Sequence, residues 1–342
     1  MHRALGRGRR DAFAWLLGVT RLSVLGAGWG PGTLSILAYH RVFDIEREQD
    51  FPYDPDLVSA SVADFTWQME TLHRHFRPLH LAEALRRLDE RIPLPPRAVA
   101  VTFDDGHRDN YTHAFPVLRR LGVPATIFLS TGYMDRKETF WFDDVAYRLQ
   151  RASRDAIELR SLGLRLVLGD AARRRRATDE VLAKLKLVPN AVRLSALREL
   201  AEESGVEAGI GDERSRPLTW AQVREMRDAG VEFGSHTVSH PILSRLGDEE
   251  LRAELRLSRE ELERQLGRRV VLLAYPVGGE DAFDERVVRI ARECGYRMAL
   301  TYVSGANRWP PGDRYRLRRL HVERYTTRAR FSAMLAFPRL FC

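Results

Sequence analysis

Short apolar runs alternate along the chain with stretches of helical spacing. The runs Ala98–Phe103 and Ala125–Leu129 carry no charge, which is typical of strands buried on both faces of a parallel sheet. Between them, residues 110–121 have helical spacing and end at Gly122, a common helix stop. Because the same alternation resumes after residue 217, the sequence predicts an α/β protein with a parallel sheet.

The pattern changes over residues 145–216, where several helical pieces appear with few strand signals. We interpret this stretch as a helical insertion into one main domain, which we place at residues 35–330 and follow with a tail at 331–342. Four consecutive arginines at 173–176 are interpreted as a solvated helix face.

Residues 1–34 form a separate basic and apolar segment. Four arginines lie among the first ten residues, and an apolar stretch interrupted by Arg21 follows. This favours an amphipathic helix that lies on a membrane surface or on the domain itself. An uncleaved anchor or signal and a disordered leader are the alternatives. We expect the protein in the cytoplasm or at the periphery of a bacterial inner membrane, with export as the alternative.

Composition narrows the function classes. With 342 residues and 44% hydrophobic content, the chain can bury a large core. The net charge of +8 comes mainly from arginine mixed with 47 acidic residues, and no phosphate-binding glycine loop or zinc-finger spacing accompanies it. We therefore expect no nucleic-acid partner. The only cysteines, Cys294 and Cys342, are too few for a cysteine-based zinc site.

Two polar strings carry the chemistry, and both follow predicted strands. In the first, Asp104 and Asp105 stand between Thr102-Phe103 and Gly106; in the second, His236 and His240 stand four residues apart before Pro241. One carboxylate and two imidazoles can hold a divalent ion with open positions, and the second carboxylate can act as a base. Alone, each string has an ordinary alternative, a strand-to-loop turn or a coincidental histidine pair. In barrels of parallel strands, strand ends of this kind form the active site.

At these residues the chain resembles the polysaccharide deacetylases, the family of carbohydrate esterases with the NodB homology domain. Thr-Phe-Asp-Asp-Gly and Ser-His-Thr-x-x-His-Pro carry the resemblance. Residues 37–42 and 274–278 are similar to the entry strand and the third motif of the subgroup associated with exopolysaccharides. The resemblance covers residues 35–323 and is weakest over the insertion.

The resemblance implies a distorted (β/α) barrel of about seven parallel strands and removal of acetyl groups, N-linked or O-linked, from a sugar. It implies Asp104 as the catalytic base, Asp105, His236 and His240 as metal ligands, and attack by water on the ion. Zinc is the default cofactor, with other divalent ions possible, and the partner is an acetylated glycan or oligosaccharide. His321 is the nearest candidate for the general acid.

Several positions depart from the family pattern or stay open. Ala274 stands where many members have an arginine that positions the base, and Arg41 and Arg319 are the candidates to replace it. His107 stands where the subgroup often has tyrosine, so it lines the pocket or faces solvent. We also expect three candidate substrate-binding residues, each with core packing as the alternative: His40, Tyr275 and Trp141.

Three functions are consistent with these residues. The first is a metal-dependent deacetylase acting on a glycan or glycan precursor. The second keeps the site and hydrolyses another non-peptide C–N bond. The third is a catalytically weakened protein that binds or assembles glycans, which the missing arginine and the uncertain acid would explain.

Overall fold

The computed structural model describes residues 32–48, 51–207 and 216–338. Seven parallel strands close into a barrel, in which β1 pairs with β2 on one side and with β7 on the other. The barrel is distorted, because a single residue pair joins β4 to β5 and the register shifts between β6 and β7. The predicted fold class is confirmed. The strands are β1 Thr33–Tyr39, β2 Ala98–Phe103, β3 Ala125–Leu129, β4 Glu232–Ser235, β5 Leu272–Ala274, β6 Met298–Ser304 and β7 Leu317–His321.

Ten helices accompany the barrel in the described part of the chain. They are α1 Val62–His75, α2 Leu81–Asp89, α3 Phe115–Leu121, α4 Trp141–Arg151, α5 Ala171–Leu185, α6 Asn190–Ser204, α7 Trp220–Asp228, α8 Asp248–Leu266, α9 Glu285–Glu293 and α10 Arg328–Ala336. A π-helical turn, Asn110–Ala114, leads into α3, so the helix predicted at 110–121 has two parts. Thr219 starts α7 with a complete capping box shared with Gln222, as its sequence indicates.

Alternate strand residues point to opposite sides of the barrel wall. One set, which includes Ile36, Ala100, Phe128 and Leu300, belongs to a single apolar cluster to which six of the seven strands contribute. The intervening residues pack outward against the helices. The same alternation decides which polar side chains at the strand ends face the barrel mouth.

The insertion contains a feature that its sequence did not suggest. Besides α5 and α6, it forms an antiparallel hairpin of Ala156–Leu159 and Leu164–Val167. Helix α4, which begins just before the insertion and runs into it, packs against both α5 and α6. The remaining short elements are the strands Arg41–Val42, Val58–Ala60, Arg77–Pro78 and Asn307–Arg308, with 3-10 turns at Pro55–Leu57, Thr131–Tyr133, Arg160–Leu162 and Leu243–Arg245.

The described residues include little of the N-terminal segment and most of the C-terminal one. The helix predicted within residues 1–34 lies almost entirely outside the described residues. Part of the segment assigned to a tail is ordered, because Phe331 of α10 is fully buried and its ring lies 6.0 Å from that of Trp67. No helix among the described residues is both long enough and apolar enough to cross a membrane.

Gly234 gives a test of barrel packing. It pairs with Phe128 across β3 and β4, and a Cβ at this position would lie 2.5 Å from the Phe128 ring. We expect Gly234→Ala to lower the free energy of unfolding by about 1 to 3 kcal/mol, because the barrel interior has no room to yield. Urea unfolding measures this. Gly312→Ala, where a Cβ would meet nothing within 4 Å, is the matched control, and equal loss in both variants would contradict the prediction.

Candidate functional site

The polar strand ends converge at the carboxyl-terminal rim of the barrel. Asp104 and Asp105 follow β2, His236 follows β4, and Arg319 and His321 belong to β7. In a barrel of parallel strands these ends share one rim, so residues more than 200 positions apart become neighbours.

Asp105, His236 and His240 form a buried cluster at this rim. One ligand atom from each lies within 4.8 Å of the others. Asp105 Oδ1 is 3.5 Å from His236 Nε2 and 3.3 Å from His240 Nε2. Asp105 and His240 have φ angles of 71° and 55°, in the left-handed region that non-glycine residues rarely adopt. Such strain is typical of sites where the surrounding structure imposes the side-chain direction.

The hydrogen bonds around this cluster fit a cation. His236 Nδ1 lies 2.7 Å from the carbonyl oxygen of Ala274, so Nδ1 carries the hydrogen and Nε2 presents a lone pair. Burial lowers the pKa of His236 to about 4, which keeps the ring neutral. Asp105 Oδ1 is buried and has no hydrogen-bond partner among the described residues. Electron-pair donors that face one another without a hydrogen between them fit a divalent ion.

Two contacts hold the loop that carries the histidines. Glu254 of α8 accepts hydrogen bonds from the backbone N–H groups of Val238 and Ser239, at 2.7 and 3.0 Å. The indole N–H of Trp141 donates to the carbonyl oxygen of His240 at 3.0 Å. The loop is therefore fixed from α8 on one side and from α4 on the other.

Asp104 is paired with Arg319 in a two-pronged ion pair. Arg319 Nη1 and Nη2 donate to the two carboxylate oxygens at 2.8 and 2.7 Å, and both side chains are buried. Burial alone would raise the pKa of Asp104, but Arg319 outweighs it, so the pKa lies below its ordinary value. Of the two candidate arginines, Arg319 contacts Asp104, whereas Arg41 pairs with Asp109 at 2.8 Å.

His321 lies on the same side of β7 as Arg319. Its ring stacks on Tyr302 with centroids 3.7 Å apart, and its Nδ1 is 3.4 Å from Ser304 Oγ. Its Nε2 is buried without a hydrogen-bond partner among the described residues. Burial, followed by the charge of Arg319, lowers the pKa of His321 to about 3. The ring is therefore neutral near pH 7.

The three candidate substrate-binding residues have different surroundings. His40 lies at the mouth, with Nε2 4.0 Å from Asp104 Oδ2, and burial lowers its pKa. Tyr275 is fully buried on the helix side of β5, where it stacks on Phe283 and donates to the carbonyl oxygen of Tyr315. Tyr275 thus takes the packing alternative, because Ala274 has the inward position. Trp141 also takes its packing alternative, since it is buried beside His240 and supports the loop.

Two further residues contact the site in ways that the sequence did not predict. Tyr302 lies between His321 and His40, whose ring centroids are 3.7 and 5.4 Å from its own. His107, expected to line the pocket or face solvent, is fully buried, with Nε2 3.5 Å from Asp105 Oδ2. Strand alternation could have placed Arg319 and His321 together, but nothing in the sequence relates His107 or Tyr302 to these neighbours.

Comparisons with known proteins show which proteins this chain is similar to. The family model described as polysaccharide deacetylase matches residues 91–299. A Bacillus subtilis protein named as a polysaccharide deacetylase, YxkH, is 22% identical over 306 residues, which are 89% of this chain and 77% of that protein. The poly-beta-1,6-N-acetyl-D-glucosamine N-deacetylase of Staphylococcus epidermidis is 32% identical over 104 residues, but these are only 29% of this chain and 36% of that protein.

A solved structure shows the same fold. The Streptococcus pyogenes deacetylase PplD, in complex with acetate, has a TM-score of 0.59 and 19% identity. The match covers 88% of this chain and 97% of that one. The family resemblance drawn from the motifs is thus confirmed over most of the chain.

The low pKa of His321 predicts acid sensitivity. The folded protein keeps the ring neutral down to a pKa of about 3, whereas the unfolded chain takes up a proton near 6.5. This group therefore removes stability as the pH falls from 6.5 toward 3. Between pH 7 and pH 5 we expect the metal-free protein to lose about 1 to 2 kcal/mol more than a His321→Gln variant. Urea unfolding with a chelator present measures this, and the same pH dependence in both proteins would contradict it.

Proposed function

The chain belongs to the polysaccharide deacetylase family, and on that premise we propose that it removes N-acetyl groups from a polymer or oligomer of N-acetylated sugar with the help of a divalent metal ion. The observation that carries this proposal is the Asp104–Arg319 pair beside the cluster of Asp105, His236 and His240. An ionised carboxylate next to an open three-ligand site provides the groups that metal-assisted hydrolysis requires.

Asp105, His236 and His240 would hold the ion, and zinc is our first choice because nitrogen and oxygen ligands suit it. When bound, such an ion supplies Lewis-acid activation of a water and polarises the acetyl carbonyl.

Asp104 would take a proton from the attacking water. The fork from Arg319 fixes both carboxylate oxygens and keeps the group ionised. Each carboxylate oxygen has a second lone pair that Arg319 leaves available for the proton. Arg319 thus positions the base and lowers its basicity, so precise placement compensates for a weak proton acceptor.

His321 would return a proton to the leaving nitrogen. Its Nε2 is buried and has no hydrogen-bond partner among the described residues, while Tyr302 and Ser304 fix the ring plane. To act, neutral His321 would take up a proton from solvent at Nε2 and pass it to the leaving nitrogen as the C–N bond breaks, while Asp104 would return to solvent the proton that it took from the water. His40, near Asp104 at the mouth, is the substrate-facing residue that we retain from the sequence.

The substrate proposal rests on the N-deacetylase of Staphylococcus epidermidis, whose name gives poly-beta-1,6-N-acetyl-D-glucosamine as its substrate. The third function, a weakened glycan-binding protein, was suggested mainly by the absence of an arginine at position 274. Arg319 makes the contact with the base that Ala274 cannot make, so this alternative loses its main support.

Single replacements of the two adjacent aspartates should distinguish the catalytic base from the metal ligand. We expect Asp104→Asn to lower acetate release by at least about a thousandfold while the protein still binds zinc, because the amide cannot accept the proton. Asp105→Asn should lose both zinc and activity, because the cluster loses its carboxylate. Acetate release and metal content after reloading measure the two effects. Loss of zinc in Asp104→Asn as well would contradict this division.

The substrate is tested with a panel of acetylated glycans. We expect the zinc-loaded protein to release acetate from β-1,6-linked N-acetylglucosamine oligomers faster than from O-acetylated sugars. Failure to release acetate from any acetylated glycan in the panel would overturn the proposed function. Release from O-acetylated sugars alone would overturn the choice of N-acetyl groups.

A further inference from the structure

Asp105 uses its two carboxylate oxygens differently. Oδ1 faces His236 and His240, whereas Oδ2 faces His107 Nε2 at 3.5 Å. The contact with His107 lies on the side away from the two histidine ligands, so a group there can set the rotation of the carboxylate.

The position of His107 is suited to set the rotation of the Asp105 carboxylate. Its ring is fully buried, with a centroid 4.5 Å from that of Phe140 and 6.3 Å from that of Phe142. The backbone on either side is fixed by hydrogen bonds between Arg108 and Arg216 and between Gly106 and Leu218. Neither ring nitrogen has a hydrogen-bond partner among the described residues. Such a buried polar group needs an explanation, because polar groups without partners are costly.

Asp143 lies on the other side of His107. Its Oδ2 is 4.0 Å from His107 Nδ1, and its side chain is fully buried. Asp143 occupies the first turn of α4, where the helix dipole favours a carboxylate. Asp105, His107 and Asp143 therefore form a buried row that begins at the candidate metal ligand and ends at the first turn of α4.

We propose that His107 and Asp143 are positioning residues for Asp105, and that they hold Oδ1 toward the histidine pair so that the cluster binds its ion tightly. This inference rests on the proposed function. Nε2 of His107 faces Asp105 Oδ2 at 3.5 Å, and Nδ1 faces Asp143 Oδ2 at 4.0 Å, so the ring stands between the two carboxylates and limits how far that of Asp105 can rotate. Outer partners of this kind typically change metal affinity 10- to 100-fold.

Helix α4, which leads into the insertion, has a part in the active site. Its first turn supplies Asp143 behind the ligand Asp105 and Trp141 behind the loop of His240. Two of the three ligands would thus depend on α4, although no residue of α4 belongs to the three-ligand cluster.

The test is zinc affinity of the full chain, measured by competition with a chromophoric chelator. His107→Phe keeps an aromatic ring but loses the donor, and it should bind zinc about 10- to 100-fold more weakly. His107→Gln, which retains an N–H donor, should recover most of that loss. Asp143→Asn should weaken binding about tenfold. The visible spectrum of the Co²⁺-substituted protein should change in His107→Phe, because the Asp105 oxygen rotates.

Asp109→Asn is the matched control. Asp109 is another buried carboxylate nearby, but it contacts Arg41 and the backbone of Val42. We expect this variant to be less stable to urea and yet to bind zinc within about twofold of the wild type. Equal weakening in Asp109→Asn and Asp143→Asn would show a general loss of structure and would overturn the inference.

The outcomes also separate the inference from the proposed function. Wild-type affinity and an unchanged Co²⁺ spectrum in His107→Phe would overturn the positioning role alone. If the wild type binds no zinc, or if Asp105→Asn binds it equally well, the proposed function fails and this inference fails with it. Near-ultraviolet circular dichroism confirms that each variant is folded before its affinity is compared.

Discussion

The buried pair of Asp104 and Arg319 is the interaction on which the rest of the site depends. Two charges withdrawn from water cost several kcal/mol each unless their geometry is close to ideal. Here two parallel hydrogen bonds, both shorter than 3 Å, meet that condition. Asp104 follows β2 and Arg319 lies on β7, the two strands that pair with β1, so the ion pair forms only when these three strands lie side by side. The pairing of β1 with both neighbours therefore assembles the catalytic base.

A second constraint operates beside the pair. The chain must bring three electron-pair donors together in a buried space, and it does so with backbone conformations that non-glycine residues seldom adopt. Hydrogen bonds to Glu254 of α8 and from Trp141 of α4 hold the strained loop in place from outside the barrel. Two helices outside the barrel thus keep the ligand loop in place, and one of them, α4, leads into the insertion.

Much of this architecture was predictable from local patterns. The apolar runs Ala98–Phe103 and Ala125–Leu129 are strands, and Thr219 starts a helix as its capping box indicates. The hairpin within the insertion was missed, because its strands are four residues each and five of the eight positions are not buried. The motif of Tyr275 left pocket and core packing open, and the alternation of β5 decides for packing, because it turns Ala274 inward and Tyr275 toward the helices.

The sequence alone specified the strand pattern, the chemical types at the strand ends and the likeness to a family, because these depend on residues close together in the chain. It left open which arginine serves the base and whether His107 lines the pocket or faces solvent, and it gave no place to Tyr302 in the site. Those assignments depend on contacts such as that between Asp104 and Arg319, which are 215 positions apart. Only a closed barrel brings such residues within hydrogen-bond distance, so only the tertiary structure could decide them.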